Sequence, residues 1–127
     1  PANPQNYYSA TKASAEHLIL AYNNTFDFPF KMVRMSNNYG PRQHSEKFLP
    51  TILRSLKHKS KIPLYGTGEN VRDWIYVGDS AKIIYNIAKN APINERYSIT
   101  NHKMMQYVDF EQTSFEAGLE QTIKEYL

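Results

Sequence analysis

QNYYSATKASAE, residues 5–16, sets two tyrosines side by side and a lysine beyond them in a run of small side chains. Tyr7 has Thr11 four positions later, whereas Tyr8 has Lys12. Residues four apart share one face of a helix, so Tyr8 and Lys12 are the pair able to act together. A free phenol has a pKa of about 10 and is a poor base at neutral pH. An ammonium one turn away favours the phenolate and moves that pKa toward the working range. The same lysine can reach a bound cofactor or sugar.

Spacing alone is a weak signal. With ten tyrosines in the chain, chance supplies roughly one Tyr-x-x-x-Lys, and a second copy stands at Tyr85 and Lys89. Context separates them. Ser9, Ala10, Thr11, Ala13, Ser14 and Ala15 leave the first helix surface nearly bare, so a backbone or a flat ligand can approach closely. Tyr85 sits among Ile83, Ile84 and Ile87 and reads as part of a core face, with Lys89 reaching solvent.

Working outward, residues 6–24 read as a helix whose apolar face is Tyr8, Ala15, Leu18, Ile19 and Tyr22. FKMVRMS (30–36) alternates like a strand, and NNYGP (37–41) reads as a turn-rich loop. A second helix is expected over 46–58, with Pro50 near its first turn. KIPLYG (61–66) and VRDWIYV (71–77) read as strands. Asp79 is placed as the N-cap of a helix over 80–90. RYSIT (96–100) reads as a strand, and Thr113 with Glu116 as a capping box opening a C-terminal helix weakened by Gly118. Alternating helices and strands define an α/β protein.

Composition narrows the function classes. At 127 residues, 41% hydrophobic and 21% charged, the chain suits one soluble domain with a sizeable core. No apolar run approaches the length of a membrane span, and PANPQNYY lacks the pattern of a signal peptide. Zero cysteines exclude disulfides and thiolate chemistry and fit a reducing, cytoplasmic setting. His17, His44, His58 and His102 lack metal-ligand spacing, so no metal site is expected. The formal charge of +3 suits an anionic ligand such as a diphosphate. Without a basic stripe interleaved with stacking aromatics, nucleic acid is not an expected partner.

A nucleotide-binding Rossmann half should carry a Gly-rich strand-to-helix turn. The nearest match, GTG at 66–68, is too short and leads into a strand. Two loops supply other chemistry. SNNYGPRQHSEKFLP places Asn37, Arg42 and Lys47 around a turn, and LYGTGENVRDWIYVGD places Arg72 beside Asp73 and Trp74 just after a loop. Together they could clamp a diphosphate, arginine by bidentate hydrogen bonds; a pair of solvated surface loops is the plainer alternative.

YSATKASAEHL, SNNYGPRQHSEKFLP, PLYGTGENVRDWIYVGDSAK and FEAGLEQTIKEYL, in that order, closely resemble the dTDP-glucose 4,6-dehydratases of the extended short-chain dehydrogenase/reductase family. The resemblance covers residues 4–102 and resumes near 111. It implies a partial Rossmann-like fold carrying the Tyr-x-x-x-Lys helix, with residues 1–45 from the dinucleotide-binding half and 46–127 forming a small α/β substrate-binding part. NAD is the implied cofactor and a nucleotide-diphosphate sugar the implied substrate. Tyr8 would take the proton of the sugar 4-hydroxyl as hydride passes to the nicotinamide, and Lys12 would hold the nicotinamide ribose. Water would then leave from carbon 6, and the hydride would return there. Asn37 and Lys47 would hold the diphosphate side of the substrate, Arg72 its phosphate, and Pro63 and Tyr65 would lie near the nucleotide.

The chain departs from the family's pattern. The Gly-rich segment, the serine or threonine that partners the tyrosine, the Asp-Glu pair that drives dehydration and a stretch between His102 and Glu111 are not found. The chain alone is therefore expected neither to bind NAD tightly nor to dehydrate, and its first helix is expected to find a partner by self-association, as a homodimer or another assembly. Two other readings stand beside this one: a related nucleotide-sugar epimerase, and a non-catalytic module binding a nucleotide diphosphate or a protein.

Overall fold

Asn6 opens the first helix, its side chain accepting the Ser9 N–H at 2.8 Å, a capping bond that satisfies one of the unpaired first-turn donors. In the computed structural model, which describes residues 3–64, 66–98, 107 and 109–127, this helix, α1, spans Tyr7–Phe26 and stops at Asp27, whose φ of 51° breaks the helical run. No residue of α1 is buried. The expected apolar face is largely turned away from the body, with Leu18 61% and Tyr22 56% exposed. The half-buried positions are Ser9, Ala10, Ala13, Glu16, Ile19, Leu20 and Asn23, of which Ile19 alone belongs to the expected face. The cause is a polar tether: Arg34 clasps Glu16 in an ion pair, and Asn23 donates to the Phe28 carbonyl at 2.9 Å.

Strand β1 (Lys31–Arg34) pairs in parallel with β4 (Glu95–Ser98), aligning Met32 with Arg96 and Arg34 with Ser98. Strand β2 (Asn37–Tyr39) pairs in parallel with β3 (Trp74–Tyr76). NNYGP is thus half strand rather than all loop, because Asn37 N–H reaches the Asp73 carbonyl at 3.1 Å, a partner 36 positions away that local patterning does not show. Conversely, residues 61–64 form no strand and lie exposed. Alternation suits a strand only where a neighbour supplies the ladder. Of RYSIT, residues 99 and 100 lie outside the described residues.

Helix α2 (Phe48–Lys57) carries the chain from β2 to β3, the crossover that parallel pairing requires. Helix α3 (Val77–Asn90) starts two residues before Asp79, so Asp79 is not its N-cap. Only 1% exposed, Asp79 accepts the Thr113 N–H at 2.6 Å and the Thr113 hydroxyl at 3.1 Å. With Thr113 engaged there, Ser114 caps α4 (Phe115–Tyr126), accepting from Ala117 N–H at 3.2 Å. The N-cap therefore moves by one residue and the expected capping box does not form, because a buried carboxylate claims the threonine and Ala117 cannot return a side-chain bond.

Ile75, Ile83, Ile87, Ala91 and Tyr97 form the core, with Val33, Tyr107 and Phe110 packed against it. Of the isoleucines around Tyr85, Ile83 and Ile87 point inward, while Ile84 is 46% and Tyr85 64% exposed. Tyr85 therefore lies on the outer face. A second knot joins Tyr39, Tyr76 and Phe115. A Cβ at Gly118 would lie 2.4 Å from the Tyr39 hydroxyl and 3.0 Å from the Tyr76 ring. This glycine costs helix propensity but is what lets α4 dock. Burial, then the nearby Asp79 and Glu116 carboxylates, push the Tyr39 phenol above its ordinary pKa.

Candidate functional site

The chemistry-bearing residues fall into two groups. In the first, Lys12 Nζ lies 5.6 Å from the centroid of the Tyr8 ring, as helical spacing requires. Thr11 and Ser14 fold their hydroxyls back onto the Tyr8 and Ala10 carbonyls at 2.8 and 2.9 Å, which keeps that surface low. Tyr8 and Lys12 open onto a cleft of about 820 Å³ whose walls include Glu16, Arg34, Arg96 and Ser98. Tyr7 is not among its lining residues and stands 93% exposed.

Charge gives the cleft its character. Hydrogen bonding from Arg34 holds the Glu16 carboxyl below its ordinary range, and Glu16 raises Arg34 in return. That carboxylate is one negative charge beside Lys12, Arg34 and Arg96 in the lining, so the cleft suits an anion. Glu16, Arg34 and Arg96 were absent from the sequence reading. Glu16 was within reach of it, being one turn beyond Lys12 on the same face. The arginines required knowledge that β1 and β4 are neighbours.

The second group gathers at the start of β3. Asn37 stands opposite Trp74 in the ladder, and Arg72 precedes that strand, its guanidinium turned back to the Val71 carbonyl at 2.8 Å. Lys47 occupies the N-cap of α2 but makes no side-chain cap. Since Pro50 has no N–H, the first turn presents the Phe48 and Leu49 amides. Phe48 stacks on Trp74, ring centroids 5.8 Å apart and 26° from parallel. Asn37, Lys47 and Arg72 thus lie on adjoining segments. Pro63 is on the exposed segment that leads toward them, and Tyr65 lies outside the described residues. None of Asn37, Lys47, Pro63 and Arg72 lines the Tyr8 cleft.

The residues present fit one end of NAD better than the other. A tyrosine and lysine beside a cationic cleft suit the nicotinamide ribose. Gly66 and Gly68 have positive φ but lie in an exposed segment leading into β3, not at a helix N-terminus where a phosphate would be cradled. Among the described residues no group of three His, Cys, Asp or Glu is arranged to hold a metal, and no helix is long and apolar enough to cross a membrane.

Comparison with known proteins gives the family. The model of the NAD dependent epimerase/dehydratase family matches residues 1–100. The chain is 36% identical over 106 residues to dTDP-glucose 4,6-dehydratase 1 of Escherichia coli, covering 84% of this chain and 29% of that protein. It is 42% identical over 99 residues to the low-salt glycan biosynthesis protein Agl12 of Haloferax volcanii, covering 78% of this chain and 32% of the relative. The crystal structure of dTDP-glucose 4,6-dehydratase from Bacillus anthracis in complex with NAD superposes with a TM-score of 0.88 at 32% identity, covering 99% of this chain and 53% of that one. UDP-glucuronic acid 4-epimerase from Bacillus cereus superposes with a TM-score of 0.89 at 19% identity, a likeness of fold, covering 98% of this chain and 53% of that one. With its parallel strands, crossover helix and Tyr-x-x-x-Lys helix, the chain belongs to the NAD dependent epimerase/dehydratase family and has its Rossmann-like α/β fold. It spans about a third of the length of these curated relatives.

Proposed function

We propose that this chain is part of an NAD-dependent nucleotide-sugar dehydratase that converts dTDP-glucose to dTDP-4-keto-6-deoxyglucose. The observation that carries the reading is Tyr8 and Lys12 set together on a cleft richer in cations than carboxylates. Tyr8 would hold and move the proton of the sugar 4-hydroxyl, while Lys12 would bind the nicotinamide ribose and favour the phenolate. NAD, when bound, supplies the hydride acceptor and donor. Residues 1–45 would serve the cofactor side and 46–127 the substrate side, with Asn37 and Lys47 on the diphosphate, Arg72 on its phosphate, and Pro63 and Tyr65 near the nucleotide.

A cytoplasmic setting and a homodimer belong to the same proposal. Leu18, Tyr22, Phe26 and Phe28 are all at least half exposed along α1 and just beyond it, which supports a covered rather than a solvated helix face. A second reading, a nucleotide-diphosphate-binding module without turnover, is favoured by the Gly66–Gly68 segment, which forms no helix-borne phosphate cradle.

Calorimetric titration of the purified chain with dTDP, with UDP as control, tests the proposal. Saturable binding that prefers dTDP is the expected result; binding lost in Arg72→Ala yet indifferent to Tyr8→Phe is the pattern of the second reading. The absence of heat with either nucleotide would sink the substrate-side assignment. The isolated chain should form no 4-keto sugar from dTDP-glucose and NAD, and steady formation of it would exclude the second reading.

A further inference from the structure

Trp74 is the chain's single tryptophan, and three segments meet on it. Its own strand carries Arg72 two residues earlier. Its ladder partner is Asn37, locked in place by the adjoining Asn37 N–H to Asp73 carbonyl bond at 3.1 Å. Its indole stacks on Phe48, the first residue of α2, immediately after Lys47. No side chain caps this end of α2, and uncapped helix ends fray. Leu49 and Pro50 in the same turn are buried, but Phe48 itself is 53% exposed, so the first residue of the helix is held by the stack rather than by deep burial.

We propose that Trp74 is a positioning residue: by stacking on Phe48 it pins the uncapped start of α2 to the β2–β3 sheet and so fixes the spacing of Lys47 from Asn37 and Arg72. This rests on the reading of those three residues as the nucleotide-diphosphate side of the site. The stack replaces the missing cap: an aromatic pair of this geometry contributes as much as a capping bond. An ordered first turn keeps the Phe48 and Leu49 amides pointing outward together, available to an anion.

The test uses the full chain and the variants Trp74→Phe, Trp74→Leu and Phe48→Leu, with two readouts. The first is amide hydrogen exchange without ligand. Trp74→Leu and Phe48→Leu should exchange roughly fivefold faster at Thr51, whose N–H donates to the Lys47 carbonyl at 2.9 Å, than wild type, the fold-change of losing one aromatic pair. Exchange at Ile83 and Ile87 should not change, and Trp74→Phe should restore the wild-type rate. Unchanged exchange at Thr51, or an equal rise at Ile83, overturns the pin, the latter because it marks loss of global stability. The second readout is dTDP affinity by calorimetry, which should weaken by about the same factor in the two leucine variants and be rescued in Trp74→Phe. Faster exchange without any dTDP binding by wild type leaves the pin standing and removes the nucleotide reading. Binding by wild type that is unaffected in Trp74→Leu does the reverse.

Discussion

Helices α1, of 20 residues, and α3, of 14, both carry a Tyr-x-x-x-Lys, yet they are held by opposite means. Four residues of α3, Asp79, Ser80, Ile83 and Ile87, are buried, and Lys31 reaches the carbonyls of Ile87 and Ala88 at 3.2 and 2.6 Å, complementing the negative end of its dipole. α1 buries no residue and is held by the Glu16–Arg34 pair and its neighbours. The tyrosine of α3 faces outward from a packed helix, 64% exposed, whereas that of α1 lines a cleft from a lightly held one. Identical spacing thus yields a site only where the small residues around it leave space and the opposite strand brings charge.

The sharpest way to break this contrast is to remove apolar bulk from each helix. Ile83, fully buried, should cost about 2–5 kcal/mol when changed to alanine, read as a lowered denaturation midpoint. Leu18→Ala, at a residue 61% exposed, should stay within about 0.5 kcal/mol while weakening self-association by light scattering. Equal losses at both sites would show that α1 carries the fold as α3 does.

Next in size is Gly118. Changing it to alanine should gain about 1 kcal/mol of helix propensity if α4 were free. Docked, the added methyl meets the Tyr39 hydroxyl and the Tyr76 ring, so the net outcome should be a loss of about 1–3 kcal/mol by thermal or urea denaturation. A stabilised variant would mean that α4 does not seat on this aromatic knot.

The same contact shows which features the sequence made legible. Periodicity and capping chemistry located α1, α2, α3 and α4 to within a few residues, since both signals are local. The pairing of β2 with β3, and hence the strand character of Asn37–Tyr39, depends on residues far apart and left no local trace. Asp79 and Thr113 illustrate the same limit: each has the composition of a cap, and it is their contact across 34 positions that moves the α4 cap to Ser114. In the site, Tyr8 and Lys12 were readable because one helix turn joins them, and Glu16 lay on the same face. Arg34 and Arg96 enter the cleft only through the β1–β4 register, and Trp74 matters only because α2 begins against it.

The smallest effect is on the α1 tether, where pH gives the sign. Glu16 has its carboxyl pKa lowered from the model-compound value of 4.5, chiefly by the Arg34 hydrogen bond. A depressed folded pKa means that the folded state holds the proton less tightly than the unfolded chain does. The pair's contribution is therefore fully present above about 4.5 and is lost as pH falls through the lowered value. Glu16→Gln removes the charge but keeps an acceptor for Arg34. Being largely solvent-screened, the pair should make wild type more stable than Glu16→Gln by about 0.2–1 kcal/mol at neutral pH. That margin should close on acidification below 4.5, and 0.5 M salt should shrink it at neutral pH. A margin that instead grows on acidification would mean that Arg34 is held to α1 by something other than the carboxylate, and the contrast between a packed α3 and a charge-tethered α1 would fall with it.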